Sequence, residues 1–150
     1  MLVAAMIAVV ALTLVPATPS HAVDLRTQSQ IRDGLEARIN RARRERGLRP
    51  LRVSLRMESY ADSHAVLMAA RGTLFHDSAL KSEVVVGASS WGENVGYTSS
   101  GDAAASLHRM FMGSSGHRAN ILKSRWTHMG VGVAKRNGRV YAVERFADAS

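Results

Sequence analysis

Between Asp24 and Arg46, the apolar residues Ile31, Leu35, Ile39 and Ala42 recur at steps of four and three. That spacing lays a single stripe along a helix. Gly47 ends the segment, and Pro50 blocks an immediate restart. A second helix is predicted from Ser54, a suitable N-cap, to Arg71, with Leu55, Ala61, Ala65, Met68 and Ala69 inward and Gly72 as its stop. Residues 73–101 are rich in Gly and Ser, with one β-branched run at Val84-Val85-Val86, and read as a long irregular connection. A third helix is predicted from Asp102 to about Met112. The segment "HMGVGVAKRNGRVYAVERF" then places two strands around Asn137-Gly138, a pair suited to the positive φ angles of a tight hairpin turn. Helices first and a hairpin last, without strand–helix alternation, predict an α+β fold with an antiparallel sheet packed by helices.

The pattern changes character at the start of the chain. Residues 1–22 carry no charged side chain and hold the apolar run "LVAAMIAVVALTLV" before "PATPSHA". This run is shorter than the ~20 residues a spanning helix needs. It fits the apolar core of a secretory signal peptide, with Ser20-His21-Ala22 as the small-residue cleavage site. The expectation is a signal peptide at 1–22 and one domain at 23–150, secreted to an extracellular location and left with no transmembrane segment.

Composition narrows the chemistry. With no cysteine, the chain has no disulfides, thiolate metal ligands or thiol nucleophile. The formal net charge of +8 is carried mostly by arginine, densest in "RARRERGLRPLRVSLR" at 41–56. Export and the lack of interleaved aromatic residues argue against nucleic acid. The block reads first as a solvated helix face and loop, and second as a surface attracted to anionic cell-envelope polymers.

The stretch "FMGSSGHRANIL" at 111–122 sets small residues directly before His117. Three readings compete. A serine nucleophile with His117 as base misses the G-x-S-x-G elbow by one residue. A metal or acid–base site would draw on His76, Glu83, Glu93 and His117, converging from separate segments because no H-E-x-x-H helix is present. In the third reading, His117 and Glu93 bond each other and only fix loops. His64, alone within the second helix, reads as a packing residue.

The order "WGENVG" at 91–96, "GSSGHRANIL" at 113–122, "MGVGV" at 129–133 and "VYAVERF" at 140–146 resembles the CAP superfamily of cysteine-rich secretory, antigen 5 and pathogenesis-related proteins. The bacterial secreted SCP domains look most similar. "LEARINRARRERGLRPLRVSLRMESYADSHAVLMAARGTLFH" is similar to that family's opening, so the likeness covers about 28–148.

This resemblance implies a three-layer α-β-α sandwich with a central antiparallel sheet and a cleft lined by a His/Glu tetrad. Carried over residue by residue, His76 and His117 match the two histidines and Glu93 the glutamate of the GEN motif, with Glu83 as candidate for the second acid. A divalent cation such as Zn²⁺ is the implied cofactor. The implied activities are a non-enzymatic binding module, a metal-dependent or acid–base hydrolase of peptide or cell-envelope substrates with Glu93 as base, and lipid or sterol binding, for which Met110, Met112 and Met129 could adapt to a ligand. The implied partners are a lipid or a protein, beside the anionic envelope polymers suggested by the basic block. The chain departs from similar sequences at Phe111, where tryptophan is common, at Ser115, where proline is common, and at Glu144, where glutamine is frequent.

Overall fold

The computed structural model describes residues 26–80 and 87–148. The expected leader at 1–22, the Val84-Val85-Val86 run and Glu83 lie outside the described residues.

Helix α1 spans Gln28–Arg44. Thr27 accepts from the Gln30 N–H at 3.2 Å while the Gln30 side chain accepts from the Thr27 N–H at 2.9 Å, so two otherwise orphaned donors are satisfied at once. Ile31, Leu35, Ile39 and Ala42 are all buried, as their spacing predicts. Strand β1 is only Arg52–Val53. Helix α2 follows at Leu55–Arg71, capped by Ser54 and closed by Gly72 at φ 68°. Leu55, expected inward, is 78% exposed, and Met57 takes the core position instead. Met57, Ala61, Ala65 and Met68 fall at helical repeats on one face, and Leu55 lies two positions off that stripe.

Strand β2, Trp91–Thr98, runs through the segment read from sequence as irregular. Helix α3 covers Ala103–Gly113 with Asp102 as its cap, and helix α4 covers Ser115–Leu122. The break between them is the single extended residue Ser114, at φ −93° and ψ 127°. Gly113 and Gly116 are not in the left-handed region, so the turn does not depend on glycine there. Strands β3, His128–Arg136, and β4, Arg139–Ala147, form the expected hairpin, with Asn137 at φ 49° and Gly138 at φ 71°.

The sheet order is β1-β3-β4-β2. The three long strands form the expected antiparallel sheet, and the two-residue β1 adds to its edge parallel to β3, so the sheet is mixed. Helix α2 covers one face, and α1, α3 and α4 cover the other, giving an α-β-α sandwich. Gly132 makes the close approach of α2 possible, because a Cβ there would run into the Ala61 backbone. Trp126 and Phe146 stack in the thicker core at 6.5 Å between ring centroids.

Two charged features complete the frame. Past β1, the outer edge of β3 is met by Asp62 of α2, whose Oδ1 accepts from the Val133 N–H at 3.0 Å. Arg32 of α1 reaches around the same edge to pair with Glu58 at 2.9 Å and with Asp62. Arg43, from the block read as solvated, is fully buried. Its Nη1 donates to the Ile121 and Lys123 carbonyls at 2.8 and 3.0 Å. A cation placed there satisfies the exposed carbonyls and the negative dipole end of α4.

Candidate functional site

Strand β2 is an edge of the sheet, and its alternation divides the site's residues. Val95 packs with the α2-side core, so Glu93 and Tyr97 share that face. Gly92, Asn94 and Gly96 face α3 and α4, where a Cβ at Gly96 would sit 2.7 Å from Met110 Cε and 2.9 Å from Phe111 Cε1. A Cβ at Gly92 would stand 3.1 Å from Asn120 Oδ1, so this glycine serves close approach.

Glu93 is buried, and three donors engage its carboxylate. The His76 Nδ1 position lies 2.9 Å from Oε1, the Asp77 N–H donates to Oε1 at 3.1 Å, and Arg145 Nε donates to Oε2 at 3.1 Å. Arg145 is itself fully buried and also pairs with Asp77 through Nη2. Nothing in the sequence reading singled out Arg145. The visible signal was an arginine at an inward position of a strand rich in apolar residues, where burial demands a partner.

His76 is exposed, with its ring orientation set by Glu93. It lines a hollow of about 500 Å³ with Asp77, Leu80, Trp91 and Glu93. His117 lies in the next hollow along β2, of about 450 Å³, with Leu74, Val95, Tyr97 and Met110. The helix bearing His117 belongs to the layer opposite α2, and its ring rests edge-on against Phe111 at 5.1 Å. Burial lowers the His117 pKa, and the charge of nearby His76 lowers it further. The structure therefore brings His76 onto Glu93 and sets His117 within reach of its charge, in two adjoining hollows rather than one.

Behind His117 runs a chain of amides. Asn94 Nδ2 donates to the His117 carbonyl at 3.2 Å and to Glu144 Oε2 at 2.9 Å, and Asn120 Nδ2 donates to Asn94 Oδ1 at 2.9 Å. Asn120 also bonds the Glu93 carbonyl, and Arg118 Nη1 donates to the Met112 carbonyl, so both residues hold the turn. Glu144 is completely buried, and desolvation pushes its pKa up to about 7. His64 bonds the Phe75 carbonyl at 2.8 Å, well inside the α2 layer, and takes no part in the site.

Among the described residues, no three His, Asp or Glu side chains converge as a set able to hold a metal ion. The Glu93 carboxylate is already engaged by its three neighbours, and His76 and His117 are the remaining imidazoles of the two hollows. No described helix is long and apolar enough to cross a membrane.

No curated protein matches the chain. Among solved structures, an extracellular protein containing an SCP domain from Bacillus anthracis is 22% identical, with a TM-score of 0.72 over 89% of this chain and 45% of its own. The chain thus spans under half the length of that protein. An outer surface protein from Borrelia burgdorferi is 14% identical, with a TM-score of 0.71 over 83% of this chain and 97% of its own. The protein NaASP2, solved with Zn²⁺, is 11% identical, with a TM-score of 0.54 over 89% of this chain and 85% of its own. The model of the cysteine-rich secretory protein family, CAP, matches residues 36–146, which take in His76, His117, Glu93 and all but the last residue of the hairpin; the chain belongs to that family.

Proposed function

We propose that the chain is a secreted, non-enzymatic binding module that takes a divalent cation such as Zn²⁺ between His76 and His117. The observation that carries this reading is the Glu93–His76 pair. A carboxylate held on one ring nitrogen fixes the tautomer and aims the other nitrogen at a ligand, the arrangement that supports metal-bound histidines. With Glu93 held by Arg145 and the Asp77 N–H, it orients His76 and does not itself ligate. Two imidazoles leave positions for water or a captured ligand, which implies weak affinity. The Zn²⁺ carried by NaASP2 and the extracellular description of the Bacillus protein support the same reading.

Isothermal titration with Zn²⁺ tests it. The protein should bind one ion, and the His76→Ala/His117→Ala double variant should lose that binding; equal affinity in the two would refute it. Hydrolysis with Glu93 as base finds less support, because each of its oxygens already accepts a hydrogen bond.

A second reading rests on the apolar hollow beside His117. Its lining by Leu74, Val95, Tyr97 and Met110, at about 450 Å³, lies within the roughly 300–1,000 Å³ usual for small-molecule sites. That supports capture of a lipid or sterol at the apolar end of the cleft. A fluorescent fatty acid should bind the protein and be released by Met110→Glu. Unchanged binding in that variant would exclude this hollow.

A further inference from the structure

At the hairpin tip, on the far end of α2, three arginines line a hollow of about 430 Å³: Arg71, Arg136 and Arg139. All three are exposed. Arg136 and Arg139 are directly opposed partners across β3 and β4, an arrangement in which like charges repel and cost stability. Among the described residues, no carboxylate pairs with any of the three. The last carbonyls of α2 supply only about half a negative charge against three guanidiniums.

Aromatic neighbours hold two of these groups in place without neutralising them. The Arg71 guanidinium lies 5.0 Å from the Phe75 ring centroid, and that of Arg139 lies 4.8 Å from the Tyr97 centroid. Stacking on a ring face fixes a guanidinium while leaving its edge N–H donors for an anion. Buried Tyr141 floors the hollow. The result is a cup of oriented donors with an excess of positive charge.

We propose that this cup is a binding site for a phosphate ester, separate from the histidine cleft. Guanidinium forks match phosphate oxygens in pairs, and the hollow leaves room for the alcohol part of the ester. The same chemistry is offered by a soluble phosphate ester and by a phospholipid headgroup.

The test is titration of the protein with glycerol 3-phosphate at fixed ionic strength, alongside co-sedimentation with phosphatidylcholine vesicles with and without phosphatidylglycerol. Arg136→Gln/Arg139→Gln should weaken binding roughly tenfold or more, given the strength of charge-assisted hydrogen bonds. Arg41→Gln/Arg44→Gln, which removes equal charge from α1, should change it less than about twofold, since surface charges far from a site are screened. The α1 variant should melt like the parent and the hairpin variant no lower than it, since relieving the Arg136–Arg139 repulsion does not weaken the fold. Stronger binding to phosphatidylglycerol vesicles than to the soluble ester, lost with the hairpin pair, makes the ligand a headgroup; binding to the ester alone makes it soluble. Equal loss in both double variants, or no binding of either probe, overturns the proposal.

Discussion

Arg145 and Glu93 stand opposite each other on β4 and β2, joined by a 3.1 Å hydrogen bond from Nε to Oε2 in the interior of the α2 side. The same guanidinium holds Asp77, so one buried cation anchors both the carboxylate that orients His76 and the loop that carries His76. The site's geometry therefore depends on a residue that lies beneath it.

Replacing Arg145 with methionine should strand Glu93 and Asp77 without their counter-charge. The expected cost is about 3–5 kcal/mol, the usual penalty for leaving a buried charge unpaired. Urea unfolding measures it, and a loss below about 1 kcal/mol would mean that the carboxylates find other partners.

Glu144 makes stability depend on pH in a direction unusual for a carboxylate. Its folded pKa of about 7 lies above the ordinary value, so the native state binds the proton more tightly than the unfolded chain does. The contribution is complete below the unfolded value, near pH 4.5, and is lost as pH rises towards 7 and beyond. Its scale is roughly 3 kcal/mol. Glu144→Gln keeps an acceptor for Asn94 without the charge. It should match the parent near pH 4 and exceed it in stability at pH 8, by thermal melts across that range. Glu36, also raised to about 7 by burial and by Glu58 and Asp33, is present in both proteins and cancels in the difference.

The imidazole of His117 should titrate below the ordinary histidine range, because burial and then the charge of His76 both oppose its protonation. His76→Gln should raise it part of the way back, leaving the burial effect. Proton NMR of the ring resonances follows both. Since the folded pKa is depressed, His117 costs stability only as pH falls below the unfolded value near 6.5. A His117 titration indifferent to His76→Gln would separate the two rings.

Gly132→Ala and Gly116→Ala should differ sharply. The first forces a methyl into the Ala61 backbone and should cost about 1–3 kcal/mol or more, as overpacking does. The second meets nothing within 4 Å inside α4, and should be neutral or stabilise by up to about 1 kcal/mol. Equal effects on unfolding midpoints would remove the packing argument for Gly132.

Where periodicity and cap residues agreed, the sequence was readable. The helix expected within Asp24 to Arg46, the one from Ser54 to Gly72 and the Asn137-Gly138 turn follow from local chemistry alone. Strand β2 was not readable, because Gly92, Asn94 and Gly96 are poor strand formers, chosen for what passes over them. Helix α4 buries only Ile121 and so lacks an apolar stripe. The family resemblance named His76, Glu93 and His117, and the structure sets His76 against Glu93 with His117 in the next hollow along β2. Arg145 was not legible, since a buried ion pair between strands 52 positions apart leaves no local pattern.

The Asp62 carboxylate on the Val133 amide has a consequence beyond this molecule. A bare strand rim is a template on which a second copy can add itself, and β1 shields only two residues of it. By plugging that rim with an acid pinned from the other helical layer, the fold denies it to another chain. Resistance to self-assembly at high concentration would then reside in Asp62 and Arg32, across the sheet from the histidine hollows on β2.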